Sequence, residues 1–424
     1  AGGQLLRGVE MPGPGMDLVG EEEIKEVMDV LKSGYLYRYQ IGGDPRFQGK
    51  VLQLEEEMAR RSQVRYALAV NSGTTALLTA LVGLGIGPGD EVIVPGFTFV
   101  ASMSSVVYAG AVPVLAEVDR TLNLDPEDVT KKITSRTKAI MAVHMMGNPA
   151  RLDELKAIAT EHGLFLVEDC AQAFGASYKG QPVGSLGHVG TFSFNVFKTV
   201  TSGDGGMIIT DDEGLYTRCF AFHDQGHAPL RTGVEIGKRP FLGLDFRYTE
   251  LQAAVLLAQI RRLAPMLGHL RANKQRFKAA IVDLPGLEFR EVIDPQDEIG
   301  TILTVILPSA AIAAKIAADL DSTVIAQAGW HVYGNMEHLL EQRVVNPLGC
   351  SFSCPHYVDR GGEVHYWQGM LPQTDELLSR AINISIGVPD PGLGAAFGVT
   401  VADGPQVVDE RAEEFRRVAL RYLS

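Results

Sequence analysis

The sequence contains no apolar run near the about 20 residues that cross a bilayer, so no membrane-spanning helix is expected. Cysteine is scarce. The four residues, Cys170, Cys219, Cys350 and Cys354, are irregularly spaced, which rules against a disulfide framework and makes the cytosol the expected compartment. Cys350 and Cys354 with nearby His356 form half of a zinc pattern, but no second pair matches it and no metal is expected. Basic residues are outnumbered: the formal net charge is −13. A general nucleic-acid surface or an anionic-membrane surface is therefore not expected, although a local basic pocket is still compatible with that balance. The opening residues, AGGQLLRGVEMPGPGMD, lack a charged segment followed by an apolar one, so no secretory leader is expected. Repeats and low-complexity tracts are missing too.

What remains is an ordinary soluble composition, 46% hydrophobic and 21% charged, over 424 residues. At about 100–200 residues per domain, that length suggests two or three domains. Residues 1–20, rich in Gly and Pro, read as an extended arm. Glu21 to Gly34 has helical spacing, with Ile24, Val27, Val30 and Leu31 on one face. Val51 to Arg61 reads as a second helix, and the loop between them, SGYLYRYQIGGDPRF, has the aromatic and basic composition of a site-lining loop. From Val64 short apolar runs alternate with helical segments: Tyr66–Val70, 91–94, 112–118, 139–145 and 164–169, then TFSF and MIIT. That alternation predicts an α/β domain with a mainly parallel sheet. Later segments are more helical and mixed, which predicts a smaller α+β domain over 263–424 and a large domain over 21–262.

Lys198 stands between TFSF and the Gly-rich turn SGDGG. A lysine between buried strands suits an amine that forms an imine with a cofactor aldehyde. It also suits a strand-end lysine reaching solvent. NSGTTAL (71–77) joins a strand to a helix N-terminus, where free N–H groups favour an anion, with hydroxyls on Ser72, Thr74 and Thr75 and close approach at Gly73. An ordinary N-cap explains the same residues. LVEDCAQAFGA puts Asp169 and Gln172 at the carboxyl end of a strand, where α/β folds hold ligands. Asp169 there would keep a pyridinium nitrogen protonated, or cap the next helix. PGFTFVAS offers Phe97 and Phe99 for stacking or for the core, and Arg247 precedes a helix in GLDFRYTELQAA. GLGIGPG (83–89) is not a dinucleotide site, because it follows a helix and precedes a strand.

In this order the blocks LAVNSGTTAL, GPGDEVIVPGFTFVAS, GAVPVLAEVD, RTKAIMAVHMMGNPA, LVEDCAQAFGASYKG and FSFNVFKTVTSGDGGMI resemble the DegT/DnrJ/EryC1/StrS family of sugar aminotransferases. The resemblance runs from about Glu21 to Leu263. It implies the type I PLP-transferase fold, with a mainly parallel seven-stranded sheet in the large domain. It implies pyridoxal 5'-phosphate as cofactor and a homodimer with sites at the subunit interface. The implied reaction moves an amino group from glutamate or glutamine to a keto-sugar by a ping-pong route through a Lys198 internal aldimine. The sugar would be nucleotide-linked or a ketoaldonate; SGYLYRY and HDQGH look most like the subgroup acting on an eight-carbon ketoaldonate. A sugar dehydratase or deaminase of the same fold is the alternative. Carried over residue by residue, Lys198 is catalytic. Asp169 pairs with the ring nitrogen, Gln172 with the ring hydroxyl and Phe99 with the ring face. Gly73, Thr74 and Ser193 take the phosphate. The family usually has asparagine where this chain has Asp245, which leaves Arg247 as the expected cross-subunit anion ligand. Tyr35, Tyr37, Arg38, His331 and Tyr333, in the loops Tyr35–Arg46 and Trp330–Asn335, are expected to meet substrate, together with the loop His223–Arg231.

Overall fold

A computed structural model describes residues 13–229, 239–345, 351–387 and 389–423. Helices α1 (Glu21–Ser33) and α2 (Lys50–Ser62) lead into strand β1 (Tyr66–Val70) and helix α3 (Gly73–Gly83). Strands β2 (Glu91–Pro95), β3 (Val112–Ala116), β4 (Thr137–Val143) and β5 (Phe165–Asp169) follow, separated by α4 (Val100–Tyr108), α5 (Pro126–Lys132) and α6 (Leu152–His162). Strands β6 (Val189–Ser193) and β7 (Gly206–Thr210) flank the Lys198 loop, and α7 (Glu213–His223), α8 (Glu250–Arg261) and α9 (Leu263–Ile281) come next. Then come β8 (Glu288–Phe289), β9 (Ile302–Ile306), α10 (Ala310–Asp319), α11 (Pro372–Arg380), β10 (Ala381–Ser385) and α12 (Pro405–Leu423).

Seven strands make one sheet in the order β1-β7-β6-β5-β4-β2-β3. Strand β7 runs antiparallel to both neighbours, and the other pairings are parallel. Both faces are covered, so β2, β6 and β7 are buried at every position, which is why they read as unbroken apolar runs. The parallel strands deliver their carboxyl ends to one edge. There β1 passes into α3, β2 into the Phe97–Phe99 segment, and β5 ends at Asp169. The amino end of β7 arrives beside them. A second sheet, β8-β9-β10, is antiparallel.

Two features depart from the sequence reading. The apolar stripe of α1 is only partly covered: Val30 is fully buried, whereas Ile24, Met28 and Leu31 are 54%, 43% and 49% exposed. The second departure concerns the boundary at 262/263. Residues 330–345 and 351–371 do not stay with the small sheet. Val332 pairs with Phe97 across an isolated bridge, and the Thr98 N–H donates to the His331 carbonyl at 2.9 Å. The Tyr366 hydroxyl donates to the Pro113 carbonyl at 2.6 Å. Val332, Tyr333, Met336 and Tyr366 share an apolar cluster with Val92, Val94 and Phe97 of the large domain. On the other side of the sheet, one cluster joins Phe192 and Leu256 to Ile384 and Phe415.

Candidate active site

Two adjoining cavities open where the strand ends converge. The inner one, about 110 Å³, is lined by Gly73, Thr74, Phe99, Asp169, Gln172, Ser193 and Lys198. The outer one, about 500 Å³, shares Phe99, Gln172, Asn195 and Lys198 with it and adds Trp330, His331 and Asp390. Seven residues singled out in the sequence therefore face one space.

The floor of the inner cavity is the junction of β1 and α3. The Ser72 hydroxyl accepts the Thr75 N–H at 3.1 Å, and the Ser72 N–H donates to the Thr75 hydroxyl at 3.1 Å. This reciprocal cap engages two of the three hydroxyls that the sequence reading had offered to an anion. Thr74 and Ser193 keep theirs: neither hydroxyl bonds to any described residue. Gly73 permits the closure. A Cβ at that position would lie 2.5 Å from Ser193 Cβ, below any real contact distance. The start of α3 therefore lies against Ser193, with the Thr75 N–H taken by Ser72 and the Gly73 and Thr74 N–H groups left for an anion.

Asp169 lies opposite. It is 3% exposed, and its carboxylate accepts the Ser102 hydroxyl at 2.8 Å and the Ala171 N–H at 3.1 Å. Burial raises its pKa, while those two bonds and the charge of Lys198 pull it back. The neighbouring Glu168 points away from the cavity and is saturated by Gly184, Leu186 and Gly187 N–H groups and His144 Nε2. His144 Nδ1 accepts the Ala150 N–H at 3.1 Å, so the proton sits on Nε2. His144, Glu168 and Cys170 lie close enough to hold a metal, but the histidine nitrogens and the carboxylate are already engaged in these bonds.

Lys198 is partly accessible as a whole residue, yet its ammonium is packed in, and burial lowers its pKa against the opposing pull of Asp169 and Asp390. An amine depressed in this way is more readily unprotonated and nucleophilic. Gln172 Oε1 accepts the Met146 N–H at 2.8 Å. Phe99 is 39% exposed at the cavity, whereas Phe97 is fully buried in the core. The Phe99 ring stands 5.3 Å from His331. His331 is 7% exposed, and its Nδ1 has no hydrogen-bond partner. Burial, then the charge of Lys198, push its pKa down to about 3.

The remaining candidates fall elsewhere. Arg38 is 7% exposed, donates twice to Glu55, at 2.9 and 3.0 Å, and lines neither cavity. Tyr333 is likewise a core residue: fully buried, it donates to Asp375 at 2.9 Å and accepts the Leu371 N–H at 3.1 Å. Tyr35 packs edge-on against Phe47 and Tyr37 against Tyr39, and neither lines these cavities. Arg247 is also outside them, paired with Asp224 at 2.6 Å and Asp245 at 2.5 Å. Asp245 is thus paired with Arg247 within this chain. Leu230 and Arg231, at the end of one nominated loop, and Cys350 lie outside the described residues.

Sequence reasoning missed Ser102, Met146 and Asp390, whereas Trp330 opens the nominated loop Trp330–Asn335. Ser102 had a signal, since it lies three residues after Phe99 on the first turn of α4 and so on the same side. Asp390 had none. It caps the Pro391–Leu393 turn through the Leu393 N–H at 3.1 Å, and only the tertiary fold brings it to Lys198.

Comparison with known proteins agrees with this geometry. GDP-perosamine synthase from Caulobacter vibrioides is 46% identical over 226 residues, 53% of this chain and 59% of the relative. GDP-perosamine synthase from Escherichia coli O157:H7 is 40% identical over 235 residues, 55% of this chain and 64% of the relative. The chain thus matches less than two thirds of the length of either relative. The crystal structure of an aminotransferase from Psychrobacter cryohalolentis superposes with a TM-score of 0.76 at 28% identity, covering 98% of this chain and all of that one. The architecture is the type I PLP-transferase fold expected above. The model of the DegT/DnrJ/EryC1/StrS aminotransferase family matches residues 17–339, and the chain belongs to that family.

Proposed function

We propose that this protein is a pyridoxal-phosphate-dependent aminotransferase that moves an amino group from glutamate or glutamine to a keto-sugar by a ping-pong route. One observation carries the reading: Lys198, Asp169, Gln172, Ser193 and the Gly73–Thr74 turn line a single cavity. The cavity also passes a test of fit. Two unbonded hydroxyls, Thr74 and Ser193, meet an open helix N-terminus at one end, suited to a phosphate. A buried carboxylate stands at the other, suited to a cationic ring nitrogen. A Cβ at position 73 would close the phosphate end.

Pyridoxal phosphate bound there would supply an electron sink and a carrier for the amino group. The chain supplies the rest. The α3 turn, Thr74 and Ser193 would hold the phosphate. Asp169, itself held by Ser102 and Ala171, would keep the ring nitrogen charged. Phe99 would lie against the ring, and Gln172 would meet the ring hydroxyl. Lys198 would supply the amine that binds the cofactor and the group that takes up and returns a proton at its Nζ. The names of the relatives favour a nucleotide-linked keto-sugar over a ketoaldonate. The exposed stripe Ile24, Met28 and Leu31 suits a second copy of the chain; Arg247 would serve the partner's site only by giving up its pairs with Asp224 and Asp245.

The test is direct. Purified protein given pyridoxal phosphate develops the visible band of lysine-bound cofactor, and glutamate or glutamine converts the cofactor to its amine form. A keto-sugar then restores the band. Lys198→Ala loses both the band and turnover. A protein that stays colourless with the cofactor supplied overturns the proposal. If the band forms but no donor yields the amine form, the dehydratase or deaminase reading takes its place.

A further inference from the structure

Gln172 is held in the cavity by one bond, Met146 N–H to its Oε1 at 2.8 Å. Its direction depends on an unusual backbone. Met146 has φ 52 and ψ 35, left-handed for a residue with a side chain. Gly147 follows at φ 75, where a Cβ would sit 2.0 Å from Ile299 Cγ1. Such a turn persists only where its surroundings over-determine it.

The surroundings come from the small sheet. Arg290, just after β8, reaches across and donates to the Met145 carbonyl at 2.7 Å, the Thr121 carbonyl at 2.5 Å and Asn123 Oδ1 at 3.4 Å. Asn123 Oδ1 in turn accepts the Met145 N–H at 2.9 Å, and the Ile299 N–H donates to the Gly147 carbonyl at 3.1 Å. Arg290 is 7% exposed and makes no ion pair among the described residues. Burial brings its pKa down to about 10, so it is still a cation at neutral pH. A buried arginine with no carboxylate in hydrogen-bond contact is costly even with the charges of Glu298 and Asp119 nearby, and an apolar plug would fill the same space at less cost. Its Nε and NH2 donors go to Thr121, Asn123 and Met145, which flank and hold this turn, and that is a reason to retain it.

We propose that Arg290 is a positioning residue that fixes the Met145–Gly147 turn and, through the Met146 N–H, orients the Gln172 carboxamide at the ring hydroxyl of the cofactor. The proposal rests on the cofactor reading above. Two measurements on the full chain separate its failure from that of the reading.

The first needs no cofactor. Hydrogen exchange of the peptide spanning 143–149 speeds up at least tenfold in Arg290→Met and less in Arg290→Lys, which keeps a donor. Unchanged exchange in both variants overturns the proposal even if wild-type protein binds cofactor normally. The second is a pH titration of the visible absorbance of lysine-bound pyridoxal phosphate. Loss of a donor to the ring oxygen makes it more basic, so the midpoint rises by at least half a pH unit in Gln172→Ala, in Arg290→Met and, more weakly, in Arg290→Lys. The double variant Arg290→Met/Gln172→Ala titrates no higher than Gln172→Ala. An unshifted midpoint in both Arg290 variants, or additive shifts in the double variant, means Arg290 does not act through Gln172. A fall in thermal stability alone would leave the midpoint where it was and would assign Arg290 a structural role only.

Discussion

Two buried histidines illustrate what a single residue determines. His223 Nδ1 donates to the Phe220 carbonyl at 2.6 Å, and Nε2 faces Arg38 NH1 at 3.1 Å, so the ring accepts there and is neutral. Burial and then the charge of Arg38 push its pKa down to about 3, the same depression as at His331. A depressed pKa gives stability that is present above the unfolded value, near 6.5, and lost as pH falls toward the folded one. Each histidine contributes a slope of at most about 1.4 kcal/mol per pH unit in that window. Urea unfolding between pH 7 and 4 therefore shows a stability loss that His223→Asn makes shallower; an identical slope would contradict the assignment. Gly73 gives a second residue-scale prediction. Gly73→Ala drives a methyl into Ser193 and weakens pyridoxal-phosphate binding about tenfold or more, roughly 1.4 kcal/mol, measured by titrating the cofactor-free protein.

At the scale of elements, the buried pair Arg38–Glu55 joins the loop after α1 to α2. Glu55 also accepts the Ala69 N–H at 2.8 Å, which ties both to β1. Burial raises the Glu55 pKa although Arg38 opposes it. Arg38→Ala leaves this carboxylate buried without its cation and costs about 3–5 kcal/mol of stability at pH 7–8. A raised folded pKa gives stability present at low pH and lost as pH rises. The cost is accordingly smaller at lower pH, where a carboxyl with a raised pKa takes up its proton more readily, and chemical unfolding compared at neutral and acidic pH checks this. A sugar-binding role for Arg38 would instead raise KM and leave stability intact. The loop composition around Arg38 suggested such a role because aromatic and basic residues serve buried networks and binding sites alike.

For the whole molecule, packing crosses the boundary expected at 262/263 on both faces of the large sheet, so that boundary is not expected to separate two units of stability. Residues 330–345 and 351–371 cover the β2–β3 end of the large sheet, and one cluster joins Phe192 to Phe415. A fragment of residues 21–262 would expose Val92, Val94 and Phe97 contacts now covered by Val332, Tyr333 and Met336. It is expected to stay unfolded by circular dichroism. The intact chain is expected to unfold in one transition, followed together by far-ultraviolet ellipticity and by Trp330 and Trp367 fluorescence. A folded fragment, or two separated transitions, would restore the simpler division.

The order of strands and helices in the large domain was legible because burial on both faces writes itself as short apolar runs separated by helical spacing. The Ser-Gly-Thr-Thr turn, Asp169, Gln172, Ser193 and Lys198 were legible because each ends or begins such a run, and a parallel sheet brings those ends to one edge. The sequence by itself thus determined the family, the sheet and the residues at its edge. Tertiary structure decided what no local spacing encodes. Ser72 and Thr75 cap each other, Arg38 and Tyr333 are interior, Asp245 is paired with Arg247, and His331 and Asp390 come to Lys198 from more than a hundred residues away. Those outcomes depend on which polar group meets which across the packed fold, because a buried donor or charge takes the partner that packing supplies.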